Sequence, residues 1–277
     1  MTNSTSFFQS IKHEGCVRIL CLGDVVGRPG RKALKERLAD LRGSLQADLV
    51  IINGENAAGG AGIDKSTALE IRGAGADVVT LGDHAFQRKG ATEFLEQHSE
   101  WCIRPLNLPA DTTPGRGSCR IKLAGGVVIG VVNLLGRVFL SGTMSCPFRA
   151  FDAFLESEKQ QGTGITVCDF HAEATSEKIA FAHHVDGRAS LVVGTHTHVQ
   201  TADERVLPGG TGFISDLGMT GCLSGVIGMK TSVALQRFLS PRPAPYEIQE
   251  GDGRIQGIWA DVDIATGRTR AIARVVD

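Results

Sequence analysis

Short apolar runs of strand length recur along this chain, each followed by a polar loop and then by a stretch with helical spacing. The first, VRILCLG from Val17 to Gly23, is continuous rather than alternating, the pattern of a strand buried on both faces. In the next segment, PGRKALKERLADLR, Pro29 suits a first helical turn, and Ala33, Leu34, Leu38 and Leu41 form one apolar stripe. DLVIIN then predicts a strand, KSTALEIRGAG a helix stopped by glycine, ADVVTLG a third strand and RKGATEFLEQHS another helix.

The pattern changes between Ser118 and Asn133. SCRIKLAGGVVIGVVN reads as two strands joined at Gly125 and Gly126, a hairpin rather than a crossover. Beyond it, CPFRAFDAFLESEKQ is helical, GITVCDF a strand, and EATSEKIAFAHHV a helix with Glu177 and Lys178 on its polar side. ASLVVG is a further strand, and GRIQGIWADVDIATGRTRAIARVV alternates well enough for two strands around the turn ATGR. The repeated strand, loop and helix predict an α/β layered fold. No internal repeat, low-complexity tract or linker interrupts it, so the expectation is one domain over residues 17–277 behind a flexible extension, residues 1–16.

A chain of 277 residues with 42% hydrophobic and 21% charged residues is long enough for one sizeable core. Its formal charge of −1 removes the electrostatic case for a polyanion coat, so a small ligand is expected and a stable nucleic-acid complex is not. Seven cysteines with no C-x-x-C pair, several inside apolar runs, read as reduced packing residues of a cytoplasmic protein. MTNSTSFFQSIKHEG lacks the basic and apolar regions of a secretion signal, and no run approaches a membrane span, so neither export nor a membrane is expected.

Open α/β sheets place ligand chemistry at the carboxyl ends of their strands, and the polar residues at those points form a series. Asp24 follows the first strand. Asn53, Glu55 and Asn56 follow the second in NGENAAGG, Asp83 and His84 the third, His171 comes after GITVCDF, and His196 and His198 after SLVVG. Each has a structural alternative: Asp24 as a helix cap, Asn56 as a turn residue, His171 as a satisfied core histidine. His196 and His198 alone are an ambiguous pair, two imidazoles that an extended segment would turn to one face. Five strand ends that each deliver a carboxylate, amide or imidazole favour a transition-metal site over that set of alternatives.

The mixture also suits a pair of cations. Two ions held roughly 3.5 to 4 Å apart need a shared anionic bridge and positions open to water. Carboxylates supply the charge and histidines the borderline-soft nitrogen, which fits iron, manganese or zinc better than magnesium alone.

At these residues the sequence resembles the calcineurin-like metallophosphoesterases, and within them the bacterial YmdB-type group. The similarity runs through GDVVGRPGR, NGENAAGG, TLGDHAF, VNLLGRVF, DFHAEATSEKIAF and GTHTHVQTADERVLPGGTGFISDLGMTG, nearly the whole chain from Val17 onward. It implies two mixed β-sheets packed face to face with helices outside, and a dinuclear site at the sheet ends. It further implies that Asp24, Glu55, Asn56 and His198 hold one metal and Glu55, Asp83, His171 and His196 the other, with Glu55 as the bridge. His84 resembles the proton donor to the leaving oxygen, a role imidazole performs near neutral pH. The implied activity is hydrolysis of small phosphodiesters, 2′,3′-cyclic mononucleotides in particular, by a homo-oligomer. A metal-binding regulatory protein acting through partners in RNA processing, and a phosphomonoesterase or nucleotidase, are the competing readings.

One departure stands in TLGDHAF. The family usually has asparagine where this chain has Asp83, and Phe86 and Gln87 replace an aromatic and acidic pair. The extra negative charge should tighten cation binding and make bound water less acidic. Gly59, Gly60 and Gly62 either let backbone approach the metals or form a flexible loop. Arg28 is either a phosphate contact or a surface cation. GDVVGRPGRK lacks the ending of a phosphate loop, and no G-x-S-x-G elbow supports a serine triad.

Overall fold

The computed structural model describes residues 11–159, 161–242 and 244–277. Among these residues fourteen strands and six helices follow in the order β1 (Cys16–Leu22), β2 (Asp24–Val25), α1 (Gly27–Leu45), β3 (Leu49–Asn53), α2 (Lys65–Ala74), β4 (Val78–Thr80), α3 (Ala91–Gln97) and β5 (Cys102–Ile103). The chain continues through β6 (Ser118–Lys122), β7 (Val128–Leu135), α4 (Pro147–Lys159), β8 (Ile165–His171), α5 (Thr175–Val185), β9 (Leu191–Thr195) and β10 (Arg205–Val206). It ends with β11 (Gly212–Ile214), β12 (Met219–Thr220), α6 (Thr231–Leu239), β13 (Gln256–Asp263) and β14 (Thr269–Val276).

Helical crossovers build the parallel centres of two six-stranded sheets, and antiparallel strands close their edges. One sheet has the order β14-β13-β1-β3-β4-β5, the other β10-β11-β9-β8-β7-β6. In the first, β1, β3, β4 and β5 run parallel, while β13 and β14 add antiparallel. In the second, β7, β8, β9 and β11 are parallel, with β6 and β10 antiparallel at the edges. The hairpin read at Gly125 and Gly126 is β6–β7, and the one read at ATGR is β13–β14.

Strand alternation decides what each face meets. Val17, Ile19 and Cys21 of β1 point between the sheets with Leu49 and Ile51 of β3, and meet Ile129, Val131, Ile165, Val167, Leu191 and Val193 of the second sheet. That shared cluster packs the sheets face to face. Leu20 and Leu22 point the other way, with Val50 and Ile52, onto Leu34, Leu38 and Leu41 of α1 and Ile71 of α2. On the far side Val132, Leu134, Cys168 and Phe170 meet Phe151 and Phe154 of α4 and Phe181 of α5. Both faces of the central strands are therefore covered, which is why their sequences read as continuous apolar runs.

Followed to its carboxyl end, the same inward register turns polar: Asn53 continues 49 and 51, Thr80 continues 78, Asn133 continues 131, Asp169 and His171 continue 167, and Thr195 continues 193. All six are buried. A two-stranded ribbon, β2 with β12, lies beside this polar end and pairs Asp24 with Met219.

One local expectation is corrected. Lys178 does not lie on a polar face: it is buried against Asp216 at 2.8 Å, since α5 turns that side toward the segment after β11. Within the extension, residues 1–10 lie outside the described residues. Lys12 and His13, by contrast, are tied to the body, Lys12 pairing with Asp48 and His13 bonding Asp261 through its amide and ring. Among the described residues no helix is long and apolar enough to cross a membrane.

Candidate metal centre

Each sequence-selected residue lies at the polar end of the sandwich. β3 ends at Asn53, whose Oδ1 accepts the Glu55 amide at 3.1 Å and bends the chain so that Glu55 and Asn56 enter the site. Glu55 is fully buried. Its Oε1 lies 3.1 Å from His171 Nε2 and 3.1 Å from His84 Nδ1, and its Oε2 accepts the His84 amide at 3.2 Å. Asp83 stands at the mouth, with Oδ1 3.2 Å from His171 Nε2 and 3.6 Å from His196 Nδ1. His171 Nε2 and His196 Nδ1 are only 2.9 Å apart. Glu55, Asp83, His171 and His196 thus present four ligand-type atoms within 4.8 Å of one another.

The remaining three gather alongside. Asn56 Nδ2 lies 3.2 Å from Glu55 Oε1, 3.5 Å from Asp24 Oδ1 and 3.1 Å from His198 Nε2. His198 Nε2 is 3.7 Å from Asp24 Oδ1. Asp24 is completely buried on β2 and caps no helix; α1 begins after Val26 with no side-chain cap. Its Oδ2 accepts the His196 amide at 3.2 Å.

The two histidines are not carried by an extended segment. β9 ends at Thr195, and His196 and His198 have φ of 106° and 64°, the left-handed region that non-glycine residues rarely occupy. Such strain persists where surroundings over-determine it. Here the turn is held by the His196 amide on Asp24, by the Thr197 amide on Asp216 at 3.1 Å, and by His198 Nδ1 on the Ile227 carbonyl at 2.9 Å. The outcome is a split pair: His196 faces His171 and Asp83, and His198 faces Asn56 and Asp24.

The donor set fits cations. His198 donates its Nδ1 proton to Ile227, which leaves Nε2 as a lone pair aimed at Asp24 and Asn56, the tautomer a metal ligand needs. Around His171, carboxylate oxygens and imidazole nitrogens face one another at close range, an arrangement stable only with positive charge between them. Protonation fills that need here. His171 is raised well above the ordinary imidazole range: burial opposes the charge, but Glu55, Asp83 and Asp24 outweigh it. Glu55 is correspondingly low despite its burial, through His171 and His84, whereas Asp24 is pushed by burial up to about 6. Asn56, turned about its amide, offers its oxygen in place of its NH2 to the same point. Gly82 leaves the room required: a Cβ there would sit 2.1 Å from Glu55 Oε2.

Of the other candidates, Arg28 pairs with Glu250 at 2.8 Å on the surface. Gly59, Gly60 and Gly62 have φ between 65° and 88° and crowd Arg88, Tyr246 and Ile248, so their turn demands glycine. Missed in the sequence were Glu173, whose Oε2 lies 3.1 Å from His196 Nε2, and the buried Lys178–Asp216 pair behind Thr197. Glu173 lies two residues after His171 in DFHAE; nothing marks the Lys178–Asp216 pair before the fold is known.

With this geometry in view, the comparisons with known proteins are specific. A family model described as YmdB-like protein matches residues 20–275. A 2′,3′-cyclic-nucleotide 2′-phosphodiesterase of Bacillus subtilis (strain 168) is 42% identical over 260 residues, covering 94% of this chain and 97% of the relative. Among solved structures, a hypothetical protein from Thermus thermophilus superposes with TM-score 0.86 at 43% identity, covering 94% of this chain and 99% of that one. A structure described as a novel phosphatase, from Mycoplasma pneumoniae, gives TM-score 0.87 at 31% identity, covering 95% and 93%.

Proposed function

Because the chain belongs to the YmdB-like protein family, we propose that it is a metal-dependent phosphodiesterase acting on small diesters, 2′,3′-cyclic mononucleotides among them. The convergence of Glu55, Asp83, His171 and His196 within 4.8 Å carries this reading. Two ions would be held, one by Asp24, Glu55, Asn56 and His198 and one by Glu55, Asp83, His171 and His196. Iron or manganese suits this oxygen and nitrogen set, and zinc is compatible with it. When bound, the cations supply Lewis acidity toward phosphoryl oxygens and water.

The chain's own groups would do the rest. His84 Nδ1 is engaged by Glu55 at 3.1 Å, with Asp83 at 3.5 Å, so Nε2 is the atom that would pass a proton to the leaving oxygen. Those carboxylates raise His84 above the ordinary imidazole value, led by the Glu55 hydrogen bond, which keeps the proton available near neutrality. His196 and His198, fixed in their strained turn, would need no reordering as substrate enters.

Seven free cysteines support a reducing, cytoplasmic location, and the net charge of −1 supports a small substrate over a nucleic-acid complex. Exposed Leu235, Phe238 and Leu239 of α6 support self-association. The test is steady-state hydrolysis of 2′,3′-cyclic mononucleotides and matched monoesters by manganese- or iron-loaded protein. Diester turnover is expected to exceed monoester turnover, and His84→Ala to lose about 10²- to 10⁴-fold in kcat with its metal content unchanged. A His84→Ala variant as fast as the wild type, or a metal-loaded wild type without turnover, overturns the proposal.

A further inference from the structure

The inward register that delivers His171 also delivers Asp169, two residues earlier on β8 and 2% exposed. Its carboxylate is met by donors from three other strands. Thr195 Oγ1 of β9 donates to Oδ1 at 2.7 Å, and Asn53 Nδ2 of β3 donates to Oδ2 at 3.1 Å. Thr80 Oγ1 of β4 donates to Oδ2 as well. Asn53 and Thr80 belong to one sheet, Asp169 and Thr195 to the other. The carboxylate is thus a polar bolt between the two sheets, set just beyond the apolar cluster they share.

Both branches of the bolt lead to the metal centre. Along one, Thr195 commits its hydroxyl hydrogen to Asp169, so its oxygen accepts from His171 Nδ1 at 2.9 Å. The ring thereby keeps a proton on Nδ1, and Nε2, facing Glu55 and Asp83, is the nitrogen that would give up its proton to a cation taking its place. Along the other, Asn53 gives its NH2 to Asp169, so its Oδ1 is the atom that accepts the Glu55 amide at 3.1 Å. Reversing the Asn53 amide would break both bonds, so Asp169 sets its orientation.

We infer that Asp169 is a positioning residue that sets, through Thr195 and Asn53, the ring tautomer of His171 and the placement of Glu55, and so registers the donors of the two sheets against each other. The inference rests on the reading of His171 and Glu55 as metal ligands. Orienting partners of this kind are worth about 10- to 100-fold in metal affinity.

The test is calorimetric titration of metal-depleted protein with Mn2+, which reads binding without turnover. Thr195→Val keeps shape and removes the hydroxyl; it is expected to weaken one Mn2+ site about 10- to 100-fold, and Thr195→Ser to restore it. Asp169→Asn, which releases both branches, is expected to weaken both sites. If it fails to fold, the Thr195 pair decides. Wild-type Mn2+ affinity in Thr195→Val, or equal losses in the Val and Ser variants, would overturn the relay. His171→Ala separates the two levels. Wild-type affinity there removes the ligand reading itself, whereas loss in His171→Ala beside an unaffected Thr195→Val removes only the relay.

Discussion

Gly82 closes the floor of the metal centre, and replacing it by alanine adds one methyl at the tightest point of the molecule's chemistry. Its φ lies outside the left-handed region, so alanine introduces no backbone strain and the effect is one of contact alone. The new Cβ would lie 2.1 Å from Glu55 Oε2 and 2.5 Å from His171 Nε2. Cβ atoms essentially never approach a neighbour below 3.0 Å, so the Glu55 oxygen must retreat by 3.0 − 2.1, or 0.9 Å, and the imidazole by 3.0 − 2.5, or 0.5 Å. A displacement of ~1 Å in a reacting constellation costs about 10²-fold in rate. The overpacking itself costs about 1–3 kcal/mol, which in a chain of this size lowers Tm by roughly 2–4 °C per kcal/mol. Gly82→Ala is therefore expected to remain folded, to bind Mn2+ weakly in calorimetry and to lose about two orders of magnitude in kcat/KM. Gly43→Ala is the control: it lies on the exposed side of α1 with nothing within 4 Å, and helix propensity predicts an unchanged or higher Tm with full activity. Gly82→Ala with wild-type metal affinity and rate would refute the reasoning, because no Cβ would then be facing the ligands.

Three further outcomes follow from the body of the fold. Arg18 and Asp261 form a buried fork with bonds of 2.6 and 2.8 Å, so Arg18→Met should cost about 3–5 kcal/mol in urea unfolding. Burial would raise the Asp261 carboxyl, but Arg18 and His13 outweigh it and hold it below the usual range. Its stabilisation is thus complete above the ordinary aspartate pKa of about 4 and is lost as pH falls through that value toward the lower folded one. Wild type and Asp261→Asn should converge in stability at acid pH; an unchanged difference would rule the pair out as the source. Of seven cysteines six are buried, and burial raises the thiols of Cys16, Cys21, Cys102, Cys168 and Cys119, the last to about 12. A disulfide reagent should therefore titrate Cys146 alone in the native protein, and rapid reaction of a second thiol would contradict the packing.

The sequence carried more of the site than of its support. Asp24, Glu55, Asn56, Asp83, His171, His196 and His198 were all visible because each interrupts an apolar strand at its end, and that interruption needs no knowledge of partners. The α/β layering was legible through the same runs, since strands covered on both faces lose their alternation, whereas the face-to-face pair of mixed sheets followed only from the family resemblance. Asp169 was lost for the same reason. Inside GITVCDF it looks like one polar letter in a buried strand, and only its shared parity with His171 hints that it faces the same way. The ribbon of β2 and β12 left no signal, because two residues on each side are too short for any period. The left-handed turn at His196 and His198 was invisible too, since it is imposed by Asp24, Asp216 and Ile227, residues far away in the chain.

The two sheets' separate contributions also order events during synthesis. Asp24, Glu55, Asn56 and Asp83 emerge from the ribosome first, as an oxygen-only set, and the three imidazoles follow only when the chain has passed residue 198. A cation meeting the first half would find none of the proposed nitrogen ligands. On the proposed ligand assignment, closure of the two sheets would rest on the apolar interior they share, and metal loading would follow the finished sandwich.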